Sequence, residues 1–236
     1  MGIVNIVVNP SDVPTNDKER EQKTDSVDAG KLAHSLRKKE LTGIYTHRLE
    51  TLQDRSLLRV RKGLVNDMTR IKNRIKGMLY YYGVPYPAEY SQGKGHWSRR
   101  FSDWLKKEVL EGNAVGKEAC SLLLEEYEGK KELLLKSTRM IRELSKQDGY
   151  CENLKFIRSV PGIGCLTGMY FLVNIEDIER FPSRDRFAGY IGLKPTRHQS
   201  DSKDPKGHLT NRSQKELRAL LIESAWVAAR KDSALT

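Results

Sequence analysis

Apolar positions along this chain fall into several rhythms, and each rhythm predicts a different element. Ile3-Val4-Asn5-Ile6-Val7-Val8 is β-branched and apolar on both faces, which predicts a buried strand of an α/β sheet stopped by Asn9-Pro10. It is the one convincing strand in the sequence, and a buried strand needs ladder partners for its N–H and C=O groups. Its sheet is therefore expected to come from another chain or from sequence upstream. Polar residues around Pro14 predict a loop over Ser11–Gln22, and a helix is expected to begin at Lys23-Thr24-Asp25. Thr24 would be its N-cap, acids would occupy its first turn, and Val27, the Lys31 stem, Leu32 and Leu36 would form an apolar stripe.

From about Glu50 to Tyr82 the rhythm changes to steps of three and four, through Leu52, Leu57/Leu58, Val60, Leu64/Val65, Met68, Ile71, Ile75 and Leu79, predicting a long amphipathic helix. Gly83–Gly95 is a breaker-rich connection, followed by a short helix from His96-Trp97 to Leu110. Val115–Lys146 repeats the helical period, interrupted near Glu126 and Gly129, and suits either a coiled coil, which would imply dimerisation, or a helix packed on its own domain. The last third holds Leu154–Gly164, a mostly apolar segment Cys165–Ile175, and a helix restarted by Phe181-Pro182-Ser183 with Ser183 as cap. A polar loop over Lys194–Thr210 and a final amphipathic helix over Ser213–Lys231 complete it. No repeat or low-complexity tract is present.

Composition sharpens this picture at three points. With 42 Lys+Arg against 31 Asp+Glu, the net charge of +11 points to a polyanionic partner, most simply DNA or RNA, unless the chain is merely a basic protein of a basic proteome. Only 38% of residues are apolar, and no run approaches the ~20 needed to span a membrane. Cys120, Cys151 and Cys165 lack metal or disulfide spacing, and the N-terminal apolar run lacks a basic leader, so a reducing cytoplasm is expected. The charge is concentrated. Arg55, Arg59, Arg61, Lys62, Arg70, Lys72, Arg74 and Lys76 share the long helix with only Asp67 between them. A solvated face normally mixes signs, so a phosphate-contacting ridge is the favoured reading over a plain solvated face.

Three further patterns carry candidate chemistry. Val160-Pro161-Gly162-Ile163-Gly164 between two helices has the form of a helix-hairpin-helix, in which Gly162 and Gly164 let backbone amides approach a phosphate. A simple αα-turn is the alternative. Asp25 and Asp28 are three apart on a helix, roughly 5–6 Å between Cβ atoms, so both can face one Mg²⁺ ion, although two acids at a helix start also simply suit its dipole. The loop Pro195–Thr210 sets Ser200 and Ser202 among Arg197, His198, Lys203, Lys206 and His208, cations able to hold a phosphate while a hydroxyl attacks it.

In order along the chain, Val7-Val8-Asn9-Pro10, Lys23-Thr24-Asp25-x-x-Asp28-Ala29 and Leu57-Leu58-Arg59-x-Arg61-x-x-Leu64-Val65 resemble the middle of a DEDD-type insertion-sequence transposase. The Val160–Gly164 turn, Arg180-Phe181-Pro182-Ser183, Phe187-Ala188-Gly189-Tyr190-Ile191-Gly192-Leu193-x-Pro195, Gly207-His208-Leu209-Thr210 and Leu217-Arg218-x-Leu220-Leu221 resemble the C-terminal domain of the same family. These are serine-using, RNA-guided recombinases whose N-terminal domain is similar to the Holliday-junction resolvase fold. The resemblance implies Mg²⁺ held by four acids, two of them matching Asp25 and Asp28, and a serine nucleophile matching Ser200. The usual Ser-Gly is Ser200-Asp201 here, which keeps Ser202 as a second candidate. It also implies a structured guide RNA, a DNA substrate, homo-oligomeric assembly with composite sites, no membrane, and a prokaryotic cytoplasm with nucleoid association.

The architecture expected is mostly α. Residues 1–83 would be the remnant of a resolvase-like α/β domain with its basic helix, 84–150 a helical or coiled-coil connector, and 151–236 a helical domain around the hairpin. The family's first Asp and its Glu would precede Met1, and Asp12, Asp17, Glu19 and Glu21 are poor substitutes in a loop. The expectation is thus a shortened transposase that binds nucleic acid but performs little strand exchange alone. The alternatives are a non-catalytic helix-hairpin-helix binding module and a purely structural coiled-coil protein.

Overall fold

The computed structural model describes residues 5–15, 24–91, 97–107, 116–197, 206–209 and 213–231, with backbone alone for 91, 195–197 and 206–209. The chain forms two compact units, Met1–Leu49 and Glu50–Thr236.

In the first unit, residues 5–7 are extended without strand pairing, and Val8 makes an isolated antiparallel bridge with Gly43, beside a hydrogen bond from the Ile44 amide to the Val7 carbonyl (2.7 Å). Among the described residues this run is not the buried strand its sequence predicts. Ile6 and Val7 are each 50% exposed, because a single bridge creates no sheet with two covered faces. Asn9 accepts from the Ser11 amide and starts the 3-10 turn Pro10–Asp12. Helix α1 (Asp25–Arg37) begins as expected, with Thr24 Oγ1 accepting from the Val27 amide. Its expected apolar stripe is not covered: Leu32 and Leu36 are exposed, and Ser35 is the buried residue of the helix.

The second unit is built on a helical hairpin. Helix α2 (Leu49–Tyr81) buries Leu58, Leu64, Met68, Ile71, Ile75 and Leu79, the three-and-four rhythm read from the sequence. After a turn and the short α3 (Ala88–Ser91) comes α4 (Arg99–Trp104), continued as a π-helical turn through Lys107; residues 96 and 108–110 of the predicted helix lie outside the described residues. Helix α4 opens at Ser98, which caps the Phe101 amide. Helix α5 (Lys117–Leu144) then returns antiparallel to α2, as the pairs Arg74–Glu126, Asp67–Lys130 and Arg61–Thr138 show. Cys120, Leu124 and Tyr127 of α5 share a core with Ile71, Ile75, Leu79, Phe101 and Leu105. Packing on its own unit therefore accounts for the buried face of α5.

At the other end of the hairpin, Leu58 and Ile141 join Leu154 of α6 (Asp148–Arg158) and Met169, Tyr170 and Val173 of α7 (Cys165–Ile175). Helix α8 (Arg184–Ile191), capped by Ser183, and α9 (Lys215–Lys231) complete the unit through a cluster of Ile175, Ile191 and Leu217. Between them, β1 (Pro195–Arg197) and β2 (Lys206–Leu209) pair antiparallel where the sequence predicts only a polar loop. The second unit begins at residue 50 because α2 packs with helices of the C-terminal third.

Candidate nucleic-acid interface

The two candidate metal ligands occupy the first turn of α1, where the helix dipole favours acids. Asp25 is exposed, and the Lys31 ammonium donates to Asp28 Oδ1 at 3.2 Å. Among the described residues no group of three or more His, Cys, Asp or Glu side chains could hold a metal ion.

Helix α2 does not present its eight cations as one free ridge, since the fold engages most of them. Arg61 Nε donates to Thr138 Oγ1 (3.0 Å). Arg70 and Lys130 both reach Asp67, at 3.2 and 3.0 Å, and the Lys130 hydrogen bond is the main reason the Asp67 carboxyl lies below its ordinary pKa. Arg74 pairs with Glu126 at 3.7 Å. The Lys72 ammonium lies over the rings of Trp97 and Tyr127, at 5.6 and 5.7 Å, where burial lowers its pKa, and Lys76 lies over Tyr86 at 5.5 Å. Arg59 and Lys62 have no acid partner among the described residues, and Arg59 is exposed.

Arg55 is the exception on this helix. Only 9% of it is exposed, and its Nε is shut from solvent with no hydrogen-bond partner. Burial, followed by the nearby Arg59, pulls its pKa below the usual guanidinium value. Arg55 and Arg59 line a cavity of about 350 Å³ together with Tyr170 and Asn174 of α7 and the amino end of α9 from Ser213 to Leu217. A polar network frames its wall. Tyr170 Oη donates to the Leu58 carbonyl (2.6 Å), with burial pushing the phenol up to about 12, and Asn174 Nδ2 donates to the Tyr170 carbonyl (2.7 Å). The Asn174 carbonyl accepts from Tyr190 Oη (3.0 Å) and Arg180 Nη2 (3.3 Å).

The glycine turn between α6 and α7 separates its two glycines by role. Gly162 has φ +89°, and a Cβ there would run into the Ser224 carbonyl oxygen and Val227 of α9. Its lack of a side chain is needed for packing. Gly164, at φ −88°, heads α7 without a side-chain cap and faces open space, so it leaves the first-turn amides of α7 unobstructed.

Arg197 and Lys206 are directly paired across β1 and β2, which brings together the two ends of the intervening segment. Ser200, Ser202 and Lys203 lie in that segment, outside the described residues. Lys215 and Asn174, which line the Arg55 cavity, are not singled out by the sequence. For Lys215 a signal was available in its place at the start of a helix two residues after the Asn211-Arg212-Ser213 run; for Asn174, inside an apolar helix, only tertiary packing reveals the position.

The basic helical hairpin is followed in the chain by the strand pair at the ends of the Ser200 segment, and comparison with known proteins gives the class. The model for the transposase IS116/IS110/IS902 family matches residues 154–236, and a second transposase model, for the DEDD transposases of IS110, matches residues 2–83. The chain is 26% identical over 230 residues to the transposase for insertion sequence element IS1111A of Coxiella burnetii, covering 95% of this chain and 59% of that protein. Two putative transposases of Sinorhizobium fredii, y4qE and y4rJ, are 25% and 28% identical, covering 94% and 96% of this chain but 52% and 60% of their own lengths. The chain belongs to the IS110/IS116 family of insertion-sequence transposases. It spans between half and two thirds of the length of these curated relatives.

The DEDD type implies a divalent metal. Asp25 and an Asp28 already paired with Lys31 do not by themselves fit one, because a hard cation needs more oxygen ligands than two carboxylates supply. No described helix is long and apolar enough to cross a membrane.

Proposed function

We propose that this chain is the part of an insertion-sequence transposase that grips nucleic acid by its phosphates and carries the serine that cuts it. The observation that carries the reading is the joint match of two transposase models to the segments holding the Asp25–Asp28 turn and the Ser200 segment. Ser200 is the nucleophile in this account. Its Oγ attacks a backbone phosphorus, the bond from phosphorus to one sugar oxygen breaks, and the freed sugar hydroxyl takes up the proton that Ser200 gives up. The phosphoserine bond so formed is reversed when a hydroxyl of a second strand attacks it. Arg197, Lys203 and Lys206 neutralise the charge that develops on the phosphate. Asp25 and Asp28 are the acids this chain would bring to a Mg²⁺ ion, whose remaining ligands come from elsewhere. Arg55, Arg59, Arg61, Lys62, Arg70, Lys72, Arg74 and Lys76 supply the binding helix, with Arg59 and Lys62 the most available of them, and the amides after Gly164 contact DNA as in a helix-hairpin-helix. A structured guide RNA, assembly with further copies, and residence beside the nucleoid in a prokaryotic cytoplasm complete the proposal.

The pairing of Asp28 with Lys31 favours a second reading, a transposase-derived module that binds DNA or RNA without cutting it. Incubating the chain with Mg²⁺, element-end DNA and element RNA, then mapping covalent protein–DNA adducts by mass spectrometry, separates the two. The first reading expects an adduct on Ser200 that is lost in Ser200→Ala and kept in Ser202→Ala. Tight binding with no adduct supports the second, and an adduct mapping to Ser202 overturns the assignment of Ser200.

A further inference from the structure

The cavity between α2, α7 and α9 holds the least expected side chain of the molecule. An arginine is almost never buried without a partner, because removing its charge from water is costly unless an anion or a set of acceptors replaces the water. Arg55 is nine-tenths buried, its Nε has no partner, and its neighbours Arg59 and Arg180 add positive charge rather than cancel it. The Glu176 carboxylate, which accepts from the Thr51 hydroxyl at 2.6 Å, offsets part of this charge from nearby. Among the described residues that line the cavity, Arg55, Arg59 and Lys215 face a single acid, Glu216. The same wall includes the amino end of α9, a helix of 17 residues; the Lys215 amide there donates to the Ser213 carbonyl at 2.9 Å, and the remaining first-turn amides with the positive end of the dipole favour an anion.

We propose that this cavity is a phosphate-binding pocket that seats one phosphodiester of a nucleic-acid strand, held by Arg55 and Arg59 on one side and by Lys215 and the first-turn amides of α9 on the other. The arrangement selects a phosphate by its chemistry. Guanidinium forks donate two parallel hydrogen bonds to a tetrahedral oxyanion, and backbone amides at a helix start supply donors that no side chain obstructs. At about 350 Å³ the cavity lies near the small end of the ~300–1,000 Å³ range of ligand sites, room for a phosphate with its sugar rather than a whole duplex. Its position also carries meaning. Helix α9 begins just after the segment that holds Ser200 and strand β2, so a strand anchored at the start of α9 is tethered close in sequence to the proposed nucleophile. The pocket adds a named subsite to the nucleic-acid reading above and rests on it. Glu216 is the built-in competitor, an acid that occupies the same wall when no phosphate is present.

The test uses the whole chain and a labelled 20-nucleotide single strand, followed by fluorescence anisotropy across a series of salt concentrations. Each phosphate contact contributes about 0.7 to the slope of log K against log[salt] for single strands. Arg55→Met, Arg59→Met and Lys215→Met should each weaken binding about 10-fold and lower the slope by roughly that one contact. Arg59 and Lys215 are exposed, so their variants test the pocket without disturbing a buried side chain. Glu216→Gln should tighten binding. Inorganic phosphate should displace the strand from the wild-type chain more strongly than chloride at equal ionic strength, and should lose that advantage in Arg59→Met and Lys215→Met. Unchanged slopes in all three cation variants with intact strand binding would overturn the pocket while leaving the nucleic-acid reading in place. Stabilisation of the wild-type chain by inorganic phosphate without any strand binding would overturn the strand as occupant and the nucleic-acid reading with it.

Discussion

Replacing Gly162 by alanine should destabilise the second unit strongly, whereas the same change at Gly164, two residues away, should be nearly silent. At φ +89° an L-residue carries about 1–2 kcal/mol of backbone strain that glycine does not. The added methyl would also meet the Ser224 carbonyl oxygen and the Val227 side chain. Both belong to α9, which has to shift to make room, and overpacking of this kind costs about 1–3 kcal/mol. The sum is about 2–5 kcal/mol, which in a unit of this size lowers the melting temperature by roughly 4–20 °C. Gly164 has φ −88° and nothing within 4 Å of a Cβ, so alanine there meets neither penalty. Differential scanning calorimetry of the two variants is the assay. Equal melting temperatures for the two, or a Gly164→Ala drop larger than that of Gly162→Ala, would refute the assignment of Gly162 to packing. If Gly164→Ala instead melts normally but binds DNA more weakly, the two glycines divide between structure and phosphate approach as proposed.

The other expected outcomes follow from burial and charge. Arg55→Met should leave the melting temperature unchanged or raise it, since replacing an unpaired buried charge with an apolar side chain is neutral or stabilising by about 1–4 kcal/mol; a lower melting temperature in calorimetry would contradict the pocket's electrostatics. The folded pKa of Asp67 is depressed, chiefly by its Lys130 hydrogen bond. Its contribution to stability is therefore present above the ordinary carboxylate pKa and lost as pH falls through the folded value, and Asp67→Asn should flatten the acid limb of stability against pH in urea titrations. Tyr170 behaves in the opposite range. Its folded pKa is raised by burial from 10.0 to about 12, so its contribution is complete below pH 10 and is lost as pH rises towards 12, and Tyr170→Phe should melt less steeply with pH across that interval.

Local signals in the sequence reach far into this fold. The boundaries of α2 are legible to within a residue, because its apolar steps sustain one face for nine turns, and Thr24 and Ser183 cap their helices as their side-chain chemistry dictates. What escapes the sequence is whatever depends on distant partners. Asp67 lies within reach of Arg70 on the same helix, but nothing local to Arg61 or Arg74 reveals that Thr138 and Glu126 engage them, or that Lys130 joins Asp67, until α5 folds back on α2. The Ile3–Val8 run has strong β propensity, and the lack of a second strand for it is itself legible in the sequence; among the described residues Val8 bridges to Gly43. The strand pair around the Ser200 segment is hidden for the converse reason: β1 has three residues, too few to establish an alternation. At the candidate site, the sequence identifies Arg55 and Arg59 as basic but not as the two sides of one cavity wall. Only the approach of α7 and α9 creates that wall.

The account depends most on nucleic-acid binding through phosphates, and the salt dependence of binding to duplex DNA of arbitrary sequence measures it most directly. The affinity should fall along a straight line of log K against log[salt], with a slope of about −0.9 for each phosphate neutralised and several phosphates in all, and should differ little between unrelated sequences. A chain that binds no duplex at about 50 mM salt, or binds it with an affinity that salt does not change, would contradict the account.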